Sequence, residues 1–140
     1  MAKYITEILK EVNEDPKLLS TVYKDNAALR YIFEYAFVPE KKFELPEGDP
    51  PYKQDAAPIG MSPANLYQEV KKFYVFCRKD LKPIRRETLF IQLLENVHPD
   101  EAELLLAIKD QTLHKKYKKL TKAQLIKAGF LPEEKKNDSN

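Results

Sequence analysis

Ile84-Arg85-Arg86-Glu87-Thr88-Leu89-Phe90-Ile91-Gln92-Leu93-Leu94-Glu95-Asn96-Val97 sets Leu89, Phe90, Leu93, Leu94 and Val97 three and four positions apart. That is the spacing of one face of an α-helix, and it leaves Arg85, Arg86, Gln92 and Glu95 facing out or sideways. The same period recurs in both directions along the chain, and strand-like alternation of useful length does not. Upstream, Ser62-Pro63 pairs a cap with a proline start. Leu66, Val70, Phe73 and Cys77 then form a stripe with Tyr67, Tyr74 and Phe76 beside it, in a helix expected to be central and separated by the Asp80–Pro83 break. Downstream, His98-Pro99-Asp100-Glu101 reads as a tight corner. Asp100, Glu101 and Glu103 lie where the helix dipole favours anions, ahead of buried Ala102, Leu105, Leu106 and Ile108. Thr121 and Gln124 have capping-box spacing before Leu125, Ile126 and Ala128, and Gly129 supplies a stop.

Toward the N-terminus, Ile5, Ile8, Leu9 and Val12 mark a first helix, and Asp15-Pro16 opens a short second one over Lys17–Tyr23. Asp25 or Asn26 caps a third, Ala27–Phe37, with Leu29, Ile32, Phe33, Ala36 and Phe37 on its apolar face. The fold class is therefore all-α: a single-domain bundle of six or seven short helices over residues 1–131, with 132–140 as a disordered tail.

Helical periodicity fails at one place, residues 38–61, where Phe43-Glu44-Leu45-Pro46-Glu47-Gly48-Asp49-Pro50-Pro51-Tyr52 takes over. An irregular stretch longer than about 15 residues is uncommon inside a compact domain unless it has a use. Five prolines at fixed φ make it an ordered proline-rich excursion with few turning points. Two readings stay open. Phe43 and Tyr52 with Pro46, Pro50 and Pro51 would pack down as a lid, or the extended Asp49-Pro50-Pro51-Tyr52 element would dock a partner protein through preformed polyproline-like backbone.

The 140 residues suit one domain, and the single cysteine excludes an internal disulfide. No apolar run approaches the roughly 18 residues of a membrane span, so the expectation is a soluble, cytoplasmic protein with no membrane partner. Net charge is +2, but its distribution is uneven: Lys and Arg number 8 against 11 acids in residues 1–61, 8 against 8 in 62–112, and 8 against 3 in 113–140.

Catalytic and metal constellations are missing from the sequence. Cys77 sits on an apolar stripe, which suits plain core packing, His98 suits a cap or a core edge, and His114 belongs to a basic run. Short Cys or His pairings for zinc are absent, and Glu44, Glu47, Asp49 and Asp55 lack the EF-hand alternation. Gly48, Gly60 and Gly129 stand apart from any phosphate-cradling motif. The expectation is a non-enzymatic protein without a cofactor.

The basic run itself is the strongest chemical signal. Lys115, Lys116, Lys118, Lys119, Lys122 and Lys127 surround Tyr117, and no acid occurs from Gln111 to Leu131. Lysines in such a run neutralise phosphates, and an interleaved tyrosine can stack on an unpaired base. Arg85 and Arg86 would extend the patch. Arginine, which suits bidentate base readout, is absent from the run itself.

Two blocks of sequence carry a resemblance. Asn26–Arg30 leading through Ala36-Phe37-Val38-Pro39 to Phe43–Tyr52 is one, and Arg86-Glu87, Phe90–Glu95 and His98–Asp110 form the other, with Leu120-Thr121-Lys122 closing them. Together they resemble a family of small uncharacterised proteins of tailed phages of the T4-like group. That resemblance implies a phage-infected cell as context and brings no catalytic residues. Ile8-Leu9, Asp25-Asn26, Leu29 and Ala36–Pro39 are also similar to the helical N-terminal region of phage ATP-dependent DNA ligases, a region that helps grip duplex DNA. The ligase Lys-x-Asp-Gly motif is absent, so the similarity implies DNA holding without ligation. The combined expectation is a phage accessory protein acting in replication, recombination or transcription through its basic C-terminal surface. The alternative is an adaptor that docks a host or phage protein through the proline-rich loop and the aromatic helix around Tyr67 and Tyr74.

Overall fold

Asp15 and Asn26, both flagged as helix starts, each accept a backbone N–H from the turn they open: Lys17 at 3.2 Å and Leu29 at 3.0 Å. The computed structural model describes residues 5–53 and 64–131. Among these the chain forms seven α-helices and no strand: α1 (Ile5–Glu14), α2 (Ala27–Phe37), α3 (Leu66–Glu69), α4 (Pro83–Asn96), α5 (Pro99–Lys109), α6 (Leu113–Lys116) and α7 (Lys122–Lys127). Three 3₁₀ segments, Pro16–Ser20, Pro39–Lys41 and Val70–Cys77, complete the helical content. The Ser62-Pro63 start, the second half of the excursion and the 132–140 tail lie outside the described residues.

The all-α expectation holds, with local corrections. Lys17–Tyr23 is a 3₁₀ turn over Pro16–Ser20, not a full helix. Asn65 caps α3, its side chain accepting from the Gln68 N–H at 3.3 Å. After Glu69 the chain tightens to 3₁₀ geometry, and Val70, Phe73 and Phe76, spaced by three, all turn inward. Three residues per turn put Phe76 on the row where an α-helix would have put Cys77. Cys77 packs only at the core's edge. Its thiol donates to the Lys41 carbonyl at 3.4 Å, and burial raises its pKa.

The hub is α5, which packs against α1, α2, α4 and α6, while the Val70–Cys77 segment expected at the centre packs on α2 and α4. Leu104, Leu105 and Ile108 are fully buried there. His98 caps α5, its Nδ1 accepting the Asp100 N–H at 3.1 Å. Glu101, placed by sequence at the end of α5 where the helix dipole favours anions, is also buried. It is 1% exposed, and its Oε1 accepts the Leu66 N–H at 3.2 Å, tying the start of α3 to α5. Its Oε2 has no hydrogen-bond partner among the described residues.

Burial, reinforced by the Asp100 carboxylate and opposed by the Leu66 N–H, raises the Glu101 pKa from 4.5 to about 7. The folded state thus holds this proton more tightly than the unfolded chain. Stability should fall as pH rises from about 4.5 to 7 and then level off, by an amount on the order of 3 kcal/mol. Glu101→Gln keeps the acceptor for Leu66 and removes the charge. Urea denaturation at a series of pH values should show a flatter profile for that variant and greater stability above neutrality. An unchanged slope between wild type and variant would mean that Glu101 does not titrate in this window.

Candidate nucleic-acid interface

The segment Gln111–Leu131 wraps its apolar residues inward and leaves its lysines outside. Leu113, Leu120 and Leu125 are fully buried, and Tyr117, Phe130 and Leu131 nearly so. Lys115, Lys118, Lys119 and Lys127 are exposed, and Lys122 is partly so. The framework is tied at several points. The Lys119 N–H donates to Asn13 Oδ1 of α1 at 2.9 Å, and Thr121 Oγ1 accepts the Gln124 N–H at 3.2 Å, as the capping spacing predicts. Gly129, at φ 85°, takes the left-handed conformation that ends α7 and lets the Phe130 N–H return to the Leu125 carbonyl at 2.9 Å.

Three residues assigned to this surface by sequence behave differently. Tyr117 is 3% exposed, so its ring is core and not a stacking platform. Its hydroxyl finds no partner among the described residues, and burial, with the Asp100 and Glu103 carboxylates, pushes its pKa up to about 12. The signal was present in the spacing of Leu113, Tyr117 and Leu120 at i, i+4 and i+7, hidden by the lysines between them. Arg86 is 8% exposed and donates to three backbone carbonyls: Glu44 at 2.8 Å, Arg78 at 2.9 Å and Leu81 at 2.7 Å. It is a strut of the fold and offers phosphate nothing. Lys116 is paired with Glu103 at 3.2 Å. Arg85 is exposed on the first turn of α4.

Arg30 joins this surface from outside the basic run. Its Nη1 donates to the Gly129 carbonyl at 2.8 Å, and its guanidinium lies 5.4 Å from the Phe130 ring centre. It adds an exposed cation beside the end of α7 from 99 residues away in sequence.

The proline-rich loop is held from both sides as far as the structure describes it. Phe43 is 2% exposed and contacts Tyr35, Phe73, Phe76 and Phe90 at centroid distances of 5.1 to 6.0 Å. The Glu44 N–H donates to the Phe76 carbonyl at 2.8 Å, the Lys109 ammonium to the Pro46 carbonyl at 2.7 Å, and the Lys53 N–H to Glu95 at 2.9 Å. Phe43 is therefore unavailable to a partner, a correction to its place in the docking surface. Tyr52 is half-buried against the core, whereas Pro46, Asp49 and Pro51 are exposed and Pro50 partly so. Beneath Pro46–Pro51 a cavity of about 260 Å³ opens against Phe90 and Ile91 of α4. On the aromatic helix, Tyr74 is 57% exposed, while the Tyr67 hydroxyl accepts from Asn26 Nδ2 at 2.9 Å.

Among the described residues no three His, Cys, Asp or Glu side chains converge as a metal-holding group, and no helix is long and apolar enough to cross a membrane.

The geometry defines a small all-α domain with a framed lysine surface and a braced loop. Residues 6–115 match the Family of unknown function (DUF6433), and the chain belongs to that family. The match takes in the whole of the described loop and the cavity beneath it, and it ends within the basic run. No curated protein and no solved structure matches the chain.

Proposed function

We propose that this protein is a non-enzymatic binding protein that holds nucleic acid by its phosphates through the lysines of α6, α7 and the turn between them. One observation carries the reading: across an acid-free segment Leu113, Tyr117, Leu120, Leu125, Phe130 and Leu131 are turned inward while Lys115, Lys118, Lys119 and Lys127 point to solvent from a hydrogen-bonded frame. A one-signed patch on a fixed scaffold attracts polyanions without first having to be ordered. With Tyr117 in the core and no arginine in the run, its lysines offer neither base stacking nor bidentate base readout, so sequence-independent binding is expected. The resemblance to T4-like phage proteins and to the DNA-gripping region of phage ligases supports DNA as the polyanion. It also supports an accessory role in replication, recombination or transcription in the cytoplasm of an infected cell.

The test is a fluorescence-anisotropy comparison of wild type with a Lys115/Lys118/Lys119→Gln variant on a labelled DNA duplex. The variant should bind more weakly, and its log–log salt slope should be shallower by about 0.9 for each lysine that contacts phosphate. Tyr117→Phe should bind as wild type does. Undiminished binding by the triple variant would remove this surface from the function.

A second reading, docking of a host or phage protein through the loop, is favoured by the cavity under Pro46–Pro51.

A further inference from the structure

We infer that the cavity between the proline-rich loop and α4 receives a cationic side chain, arginine or lysine, presented by a partner protein. The inference rests on the docking reading of the loop and names the chemistry of its partner. Pro46 and Pro50 form one wall and Phe90 with Ile91 the other, an apolar sleeve suited to the methylene stem of a long side chain. The cavity also takes in three carboxylate residues, Glu47, Asp49 and Glu87, and one cation, Lys109.

Lys109 does not offset those acids. Its ammonium is already compensated, bound to Asp110 Oδ1 at 2.5 Å and to the Pro46 carbonyl at 2.7 Å with its side chain 1% exposed. Glu47 is matched by Lys42 at 2.8 Å. Asp49 and Glu87 have no ion pair or side-chain hydrogen bond among the described residues, so the mouth keeps two carboxylates without a bonded cation beside an apolar wall. An aliphatic ligand would satisfy the wall and leave both charges unmatched, and an anion would be repelled by them. A stem ending in a guanidinium or ammonium satisfies both features. The walls are also in place beforehand, since the loop is anchored through Glu44, Pro46 and Gly48, the last donating to Asp110 at 3.2 Å.

The probe is N-acetyl-arginine N-methylamide, titrated into the ¹⁵N-labelled full chain, with the N-acetyl-citrulline analogue as its neutral isostere. The arginine probe should shift the amide resonances of Gly48, Asp49 and Ile91, citrulline should leave them unmoved, and Glu87→Gln should weaken arginine binding by about fivefold, the scale of one partly exposed ion pair. The same spectra report whether the variant is folded. Equal shifts with citrulline would overturn the cation inference while leaving the cavity as a docking site. No shift with either probe would overturn both.

Discussion

Arg86→Leu should lower the unfolding free energy by about 3–5 kcal/mol, because hydrogen bonds to a charged donor contribute about 1.5–3 kcal/mol each and several are lost at once. Arg86 joins two separate stretches of backbone, the loop at Glu44 and the α4 approach at Arg78 and Leu81, through three bonds of 2.7 to 2.9 Å. Leucine fills much of the volume and supplies no donor, so three carbonyls lose a charged partner together. Arg86→Lys keeps the charge but not the planar fork, and should recover only part of the loss. Urea denaturation monitored by circular dichroism reads the difference as a shift in midpoint at constant slope. A loss below about 1 kcal/mol for the leucine variant would show that the three carbonyls are readily hydrated and that Arg86 is not a strut.

Phe43→Ala should be comparably destabilising, at about 3–5 kcal/mol, because the ring fills a site surrounded by four other aromatic rings. Pro51→Ala, at an exposed position of the same loop, should change stability by no more than about 0.5 kcal/mol. The contrast separates the two halves of the loop's role: the Phe43 end closes the core, and the Pro46–Pro51 arch is left to walls and contacts. A small effect from Phe43→Ala, or a large one from Pro51→Ala, would reverse that division.

Much of the architecture was legible because helix starts and stops are local chemistry. Asp15 and Thr121 cap the turns expected of them, Asn26 is the one of the two candidates Asp25 and Asn26 that caps α2, and Gly129 ends α7. The buried polar residues were not legible. Arg86, Glu101 and Lys109 each sit at a position whose local pattern suggests solvent, and their partners lie 42, 35 and 63 residues away. Those partners are backbone groups, in the loop at Glu44 and Pro46 and at the start of α3 at Leu66, and a backbone group carries no side-chain signature. The shift of Val70–Cys77 to 3₁₀ geometry was hidden for another reason, since Phe76 and Cys77 are both acceptable core residues and only packing on α2 and α4 selects between them. The lysine run is plain in the sequence, but its single aromatic was assigned by composition when its spacing already placed it in the core.

The salt dependence of duplex DNA binding by the wild-type protein, measured by anisotropy from about 50 to 200 mM salt, tests the central claim most directly. The account predicts a linear fall of log affinity with log salt at a slope of about −3 to −4, corresponding to roughly four phosphate contacts, with no preference among duplex sequences. Binding that is insensitive to salt, or none at the lowest salt, would contradict it.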